Sequence, residues 1–168
     1  MGGINLSKFN NWLPIVNKIP YLTSLFLENC NLANIFSIPL ANSSTSLNAL
    51  YLPYNGLTSS SSVLEWLFNY NTSVVELYLF GNQFQGMIPN AFSKIKSLVH
   101  LYLDDNEFEG GIPKSFGSMC NLKTLSLIRA NLNGKFLGII HNLIGCAQHS
   151  IEILYLAFRW ESNHRKIT

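Results

Sequence analysis

Two cysteines and two histidines near the C-terminus are the side chains that could support metal or redox chemistry. Cys120, His141, Cys146 and His149 follow a C-x20-H-x4-C-x2-H spacing, which matches no usual zinc-ligand pattern. The two cysteines precede consecutive predicted strands, so a disulfide between them is geometrically possible in an exported protein. A cytosolic protein would keep both thiols reduced.

The sequence favours no catalytic site. It contains no phosphate-binding loop, no nucleophile elbow and no metal-binding helix, and its scattered carboxylates form no acid/base pair without a cleft. We therefore predict that the chain is not an enzyme and needs no cofactor or metal. A net charge of +2 with scattered lysines and arginines argues against nucleic acid as a partner.

The amino-acid composition indicates which structural elements would position any binding residues. Hydrophobic residues make up 48% of the 168 residues and charged residues only 12%. Leucine occurs 26 times and asparagine 20 times. A chain rich in both residue types and poor in charge predicts a structural role that repeats along the sequence.

The pattern L-x-x-L-x-L-x-x-N/C-x-L recurs along the chain. Its copies occupy residues 22–32, 47–57, 74–84, 98–108, 122–132 and 151–161. The steps between Asn-type positions are 25, 27, 24, 24 and 29 residues, and these positions are Cys30, Asn55, Asn82, Asn106, Ala130 and Arg159. The fifth copy lacks the asparagine, and the sixth keeps only its first half. This is the leucine-rich-repeat signature at its expected period.

The leucines of each copy are expected to build the core. Side chains alternate faces along a strand, so Leu77 and Leu79 should point into the coil and Tyr78 should point out. Each coil leaves an apolar edge that only the next coil can bury, so the coils should stack as a solenoid. Adjacent strands should then form a parallel sheet on its concave side.

The asparagine column is expected to tie the turns. Its members in the regular copies are Asn55, Asn82 and Asn106. Their amides can bond main-chain groups that the turn leaves unpaired. Ala130 cannot, and an orphaned buried group there would cost about 1–3 kcal/mol unless Asn131 or a water substitutes. A guanidinium at Arg159 is hard to bury, so we expect the last coil to open there.

The connections between strands differ among the copies. Two copies continue as G-x-I-P, from Gly86 and from Gly110, where glycine permits a tight turn and proline bars a regular helix. Residues 59–71 (SSSSVLEWLFNYN) predict a short helix capped by serine. The predicted fold is α/β: a right-handed leucine-rich-repeat solenoid with short parallel strands on the concave face. Loops, 3-10 turns and one short helix are predicted on the convex side.

Aromatic residues recur between the two inward leucines of each copy. This outward column reads Phe26, Tyr51, Tyr78, Tyr102, Ser126 and Tyr155. Tyrosine supplies contact area and a hydroxyl at low entropic cost, so the aromatic members predict a ligand-binding strip. The predicted binding set also includes five neighbouring side chains, Tyr54, Phe80, Asp104, Asp105 and Arg129. Asp105 and Arg129 share a column on adjacent coils, so we expect them to pair. Alternatively, the rings only stack across strands, for about 0.2–1 kcal/mol per pair, and the charges only keep the face solvated.

The 24-residue spacing with N-x-F-x-G-x-I-P resembles plant-specific leucine-rich repeats. The segment 5–32 (NLSKFNNWLPIVNKIPYLTSLFLENCNL) resembles, more narrowly, plant receptor-like proteins of the ethylene-inducing-xylanase receptor group, with Cf-type resistance proteins nearby. The likeness covers roughly residues 5–156. It implies a plasma-membrane ectodomain that faces the cell exterior and binds a peptide or protein in defence or developmental signalling. It also implies receptor kinases as signalling partners.

The sequence departs from this family in several ways. Residues 1–10 lack the apolar run of a signal peptide, and no stretch reaches the roughly 18 apolar residues of a membrane span. Family members also carry cysteine-paired caps and many more repeats. We therefore expect a truncated product whose two ends expose apolar coil edges. Two alternatives stay open: a secreted repeat-type inhibitor of a microbial wall-degrading enzyme, and a non-functional truncated gene product.

The predicted organisation has three segments. Residues 1–21 form an N-terminal partial repeat, residues 22–157 form about six plant-type leucine-rich repeats, and residues 158–168 form a degenerate tail. N-x-S/T motifs occur at Asn5, Asn42 and Asn71, which would suit N-glycosylation in a secretory protein.

Overall fold

A computed structural model of the chain describes residues 3–35, 46–70, 73–132 and 136–157. In chain order, the helices, strands and 3-10 helices (η) are α1 (Trp12–Val16), β1 (Ser24–Phe26), β2 (Ala49–Tyr51), α2 (Ser62–Tyr70), β3 (Glu76–Tyr78), β4 (Gln85–Met87), η1 (Asn90–Lys94), β5 (His100–Tyr102), β6 (Glu107–Gly110), η2 (Lys114–Ser118), β7 (Thr124–Ile128), β8 (Asn131–Leu132), α3 (Phe136–Asn142), α4 (Ala147–Ser150) and β9 (Ile153–Ala157).

One strand from each repeat joins a six-stranded parallel sheet. The strand order β1-β2-β3-β5-β7-β9 follows the sequence, so each coil lies beside the next one. The register places Leu25, Leu50, Leu77, Leu101, Leu125 and Leu154 opposite one another across the whole sheet. The four central leucines of this row are fully buried. The predicted leucine-rich-repeat solenoid with parallel strands is therefore confirmed.

The asparagine column forms a buried hydrogen-bonded ladder where the chain leaves each strand. Asn82 shows the pattern: its Nδ2 donates to the carbonyls of Leu52 and Leu79, each at 2.9 Å. Its Oδ1 accepts from the backbone N–H groups of Asn55 and Leu57, each at 3.1 Å. One side chain thus joins its own coil to the preceding one and satisfies main-chain groups that are out of reach of water.

The other members of the column repeat or modify this pattern. Asn106 Nδ2 donates to the carbonyls of Leu79 (3.0 Å) and Leu103 (3.1 Å). In the first coil, the Cys30 thiol donates to a backbone carbonyl at 3.3 Å. The predicted structural role of the asparagines is therefore confirmed. Ala130 is buried, and its N–H donates to the Leu127 carbonyl at 3.3 Å, within its own turn. Asn131 lies exposed in β8 and does not fill the buried position.

A second, smaller parallel sheet follows the asparagine turns. It consists of β4, β6 and β8 in that order, and the sequence patterns did not predict it. The predicted serine-capped helix is α2, in which the Val63 N–H contacts Ser61 Oγ at 3.4 Å. The prediction of one short helix was wrong, because α1, α3 and α4 are also helical in the part of the chain that the structure describes. These helices lie in the first and last coils, where the 24-residue step is not kept.

The last described coil is fastened to its neighbour at two points. Cys120 and Cys146 form a disulfide, with their Cα atoms 4.8 Å apart. The backbones of Gly117 and Gly145 approach so closely that a Cβ on Gly117 would overlap the carbonyl of Ile144. The connection containing α3 and α4 is therefore held against η2 by a covalent bond and by backbone contact.

Several predictions fall on residues outside the described ranges. They concern Asn42, Asn71, Arg159 and the tail of residues 158–168. The three-segment division of the chain remains a prediction. Within the ranges given above, every helix is too short or too polar to cross a lipid bilayer.

Candidate functional site

Three columns of side chains share the outer face of the six-stranded sheet, because alternate residues of each strand point the same way. The central column contains the five predicted aromatic residues, Phe26, Tyr51, Tyr78, Tyr102 and Tyr155, with Ser126 between the last two. One flanking column contains Glu76, His100 and Thr124, two residues before the central column, and the other contains Phe80, Asp104 and Ile128, two residues after it. We call these three columns the sheet face. Ser126 is buried, so the central column is interrupted at the fifth strand.

Four rings of the central column form one continuous stack. Ring centroids are 4.2 Å apart for Phe26 and Tyr51, 4.1 Å for Tyr51 and Tyr78, and 4.5 Å for Tyr78 and Tyr102. The two tyrosine pairs are tilted by only 12° and 13°. Neighbouring rings therefore cover each other's faces, and a bound molecule would meet their edges and hydroxyl groups. Stacking is thus observed, as the alternative interpretation expected.

A second column of polar residues lies beside the rings. The Tyr51 hydroxyl donates to the carboxylate of Glu76, and His100 Nδ1 lies 3.0 Å from Thr124 Oγ1. Glu76, His100 and Thr124 are in register across β3, β5 and β7. The repeat pattern did not single them out, although counting back two residues from Tyr78, Tyr102 and Ser126 identifies this column.

The protonation of the tyrosines follows from their surroundings. Burial, followed by the bond to Glu76, raises the pKa of Tyr51 above its ordinary value. Burial and the neighbouring Tyr78 raise the pKa of Tyr102 as well. Both hydroxyls therefore stay protonated at neutral pH. The Tyr51 proton is already donated to Glu76, so this hydroxyl would meet a ligand through its oxygen, as an acceptor.

The acidic residues of β5's coil are engaged with the next coil. Ser126 Oγ and the Ile128 N–H (2.7 Å) both donate to Asp104 Oδ1. Arg129 pairs with Asp105 through two of its nitrogens, as predicted, and this bond lowers the pKa of the Asp105 carboxyl. Because Asp104 holds two groups of β7, it positions the neighbouring strand in addition to being a predicted ligand contact.

Tyr54 and Phe80 form the rim of the sheet face next to the ring stack. Their rings meet edge to face with centroids 5.2 Å apart. Tyr54 is 49% exposed, and its ring lies over Gly81. Tyr54, Asp105 and Arg129 have left-handed backbone dihedrals (φ of 56°, 51° and 60°), and Gly81 shares them (φ 67°). Residues other than glycine adopt this conformation at a cost in energy, so this column is strained, and the glycine was the sequence signal for it.

The remaining predicted site residues lie elsewhere. Asn5 is exposed, and its Oδ1 accepts a hydrogen bond from the Ser7 N–H at 3.0 Å. Asn42 and Asn71 are outside the described residues. His141 and His149 are exposed in α3 and α4. Where the structure describes the chain, His, Cys, Asp and Glu side chains nowhere gather in threes that could hold a metal.

Comparisons with known proteins agree with this architecture. The leucine-rich-repeat family model matches residues 73–95 and 97–119, which contain the third and fourth copies of the pattern. The receptor-like proteins EIX1 and EIX2 of Solanum lycopersicum are 40% and 38% identical over 89 and 88 residues. Each match covers 51% of this chain and only 8% of the relative, so the chain spans a small part of these proteins.

A solved structure gives the same result in three dimensions. The crystal structure of a TDR receptor superimposes with a TM-score of 0.54 and 32% sequence identity. The superposition covers 67% of this chain and 18% of that one. The similarity therefore extends to the stacking of the repeats as well as to the sequence motif.

Proposed function

We propose that this chain, which is built of leucine-rich repeats and resembles plant receptor-like proteins over half its length, is a ligand-binding module. Its sheet face would bind a peptide or a protein, and its chemistry would be non-covalent. The observation that supports this most strongly is the continuous row of rings and hydroxyls across four coils. The leucines and asparagines already hold these coils together, so the row is not needed to define the repeat.

The composition of the sheet face suits a peptide or protein partner. Tyrosine and arginine are among the residues enriched at binding hot spots, and both are present with partly buried carboxylates between them. Because the ring faces are covered, we expect recognition through hydroxyl and carboxylate hydrogen bonds, with Tyr54 and Phe80 giving apolar contact at the rim. The row crosses the strands, so an extended ligand lying across them would meet one side chain per coil.

The cellular location and the biological process that we propose are based on the similar proteins. EIX1 and EIX2 are receptor-like proteins, and we propose by analogy a role at the plasma membrane, facing outward, in defence or developmental signalling with receptor kinases as partners. The Cys120–Cys146 disulfide supports an oxidising compartment, since such cross-links are rare in the cytosol. Glycosylation at Asn5, Asn42 or Asn71 would accompany export and is part of the same proposal.

A selection experiment tests the proposed face without a known ligand. The probe is a library of random peptides displayed on phage, selected against the immobilised full chain. Binders are then retested on Tyr78→Ser/Tyr102→Ser and on Gln85→Ser/Met87→Ser, whose altered residues are exposed in β4 of the smaller sheet. We expect most binders to lose at least about tenfold in affinity with the first variant, about 1.4 kcal/mol, and to keep it with the second. Binders that tolerate the tyrosine changes would exclude this face as the main binding surface.

A further inference from the structure

The three columns of the sheet face carry charge of one sign. Their acidic members are Glu28, Glu76 and Asp104, and none of their described members is a lysine or an arginine. At the rim, Asp105 and Arg129 form an ion pair and neutralise each other. The sheet face is therefore negatively charged when histidine is counted as neutral, although the chain as a whole has a net charge of +2.

The lysines of the described chain lie away from the sheet face. Lys94, Lys96 and Lys114 are exposed in or beside the 3-10 helices η1 and η2, and two more lysines flank α1. Lys123 and Glu152, which directly precede β7 and β9, pair with each other at 2.9 Å. No lysine among the described residues therefore neutralises the carboxylates of the sheet face, and this face attracts cations.

Glu76 and Asp104 are each held in place through one carboxylate oxygen. The Tyr51 hydroxyl donates to Glu76 Oε2. Asp104 Oδ1 accepts from Ser126 Oγ and from the Ile128 N–H. Within the part of the chain that the structure describes, the second oxygen of each carboxylate accepts no hydrogen bond. Each of these oxygens can therefore accept a charge-assisted hydrogen bond from a ligand, on a carboxylate that is already oriented.

The two carboxylates lie on opposite sides of the ring stack, in adjacent coils. Glu76 comes two residues before Tyr78, and Asp104 comes two residues after Tyr102. Their columns are therefore four residues apart along the strands, or about 13 Å at about 3.3 Å per residue. A single ion cannot bridge this distance, and no three ligating side chains of the described residues gather around either carboxylate. An extended peptide can bridge it, because its successive side chains point to opposite sides.

We propose that the sheet face binds an extended peptide segment with two adjacent basic residues, one paired with Glu76 and the other with Asp104. This inference rests on the proposed binding function and names the chemistry of its ligand. The ligand would cross the strands over the ring stack, where successive residues, about 3.3 Å apart, would match coils that are about 4.8 Å apart. The contacts lie in the third and fourth coils, so they do not depend on where the chain begins or ends.

Phe80 adds to the proposed contact at Asp104. It occupies the same column in the preceding coil, and the two coils are joined there by a bond from the Gly81 N–H to the Asp104 carbonyl at 2.9 Å. The Phe80 ring is partly buried and meets Tyr54 edge to face. A lysine or arginine side chain that reaches Asp104 would pass beside this ring, which can cover its apolar stem and attract its charge.

Neutralising the two carboxylates while keeping their structural hydrogen bonds tests the inference. The variant Glu76→Gln/Asp104→Asn keeps an oxygen at each position for the hydrogen bonds described above. The control, Glu107→Gln/Glu109→Gln, removes the same charge at two exposed positions of β6. The probes are the phage-selected peptides, each synthesised as selected and with its basic residues replaced by glutamine. Circular dichroism checks that both variants are folded.

We expect adjacent basic residues to be enriched among the peptides whose binding requires Tyr78 and Tyr102. These peptides should lose at least about tenfold in affinity with the neutralised variant and keep their affinity for the control. On the wild type, affinity should fall between about 0.01 and 0.15 M salt, as the Debye length shrinks from about 30 to about 8 Å, and the neutralised variant should respond less. The glutamine-substituted peptides should bind the wild type at least about tenfold more weakly.

Two results would overturn the inference, and they differ in what they say about the proposed function. If tyrosine-dependent peptides lack basic residues, or bind equally well after glutamine substitution, the ligand chemistry is wrong and the binding face stands. This comparison uses only the wild type, so it does not depend on the folding of a variant. If the peptides tolerate the tyrosine changes, the proposed function fails and the inference fails with it.

Discussion

Replacing Asn82 by alanine should show how much the buried ladder contributes to stability. The change removes an oxygen that accepts two buried backbone N–H groups, those of Asn55 and Leu57. It also removes the donor to two carbonyls. A buried group left without a partner costs about 1–3 kcal/mol, and water entering the vacated space would reduce this. If each of the two N–H groups that lose their partner costs about 1.5 kcal/mol, we expect the free energy of unfolding to fall by about 3 kcal/mol.

Urea unfolding followed by circular dichroism measures this loss, and amide hydrogen exchange locates it. The exchange of the Asn55 and Leu57 amides should accelerate more than that of amides in the last coil. Asn131→Ala, at an exposed position, is the control and should change stability by less than about 0.5 kcal/mol. The reverse change, Ala130→Asn, should raise stability by about 1 kcal/mol, because it restores the missing member of the column. An Asn82→Ala loss no larger than that of the control would refute the role given to the ladder.

Two further predictions concern the rim of the sheet face. Gly81→Ala should lower stability by about 1–3 kcal/mol, since its φ is 67° and the new Cβ would overlap a neighbouring ring. Gly86→Ala has a similar φ of 79° but open space, so thermal melts should show a smaller loss for it. Arg129 lowers the pKa of Asp105, so the ionised Asp105 carboxyl stabilises the fold at pH values above its unfolded pKa of about 3.9. This stabilisation is lost as the pH falls through the lower native pKa. Melting curves from pH 7 to about 2 should therefore decline less steeply for Asp105→Asn, and parallel curves would contradict this.

The repeat could be predicted from the sequence because its constraints are local and periodic. A strand whose register is fixed by alternating leucines leaves one choice for the outward column, and the structure places Tyr51, Tyr78 and Tyr102 there. The same reasoning found Asn82 and Asn106, since an amide that recurs inside an apolar coil needs main-chain partners. The pairing of Asp105 with Arg129 followed from their shared place on adjacent coils.

Other features depend on interactions that the repeat does not define. The bonds from Ser126 and the Ile128 N–H to Asp104 depend on side-chain rotamers across two coils. The helices α1, α3 and α4 lie where the repeat length changes, so periodicity gave no information about them. The second sheet could not be read from alternation, because β8 is only two residues long and β4 contains a glycine. Glu76, His100 and Thr124 were accessible to the same alternation argument and were missed.

The central claim is that hydroxyl edges of the ring stack recognise the ligand while leucines and asparagines maintain the fold. Tyr78→Phe/Tyr102→Phe tests it most directly, because the rings remain and only the hydroxyls are lost. Affinity for the selected peptides and the free energy of unfolding are measured on the same preparation. We predict a fall in affinity of at least about tenfold with a stability change of no more than about 1 kcal/mol. Unchanged affinity would contradict the claim.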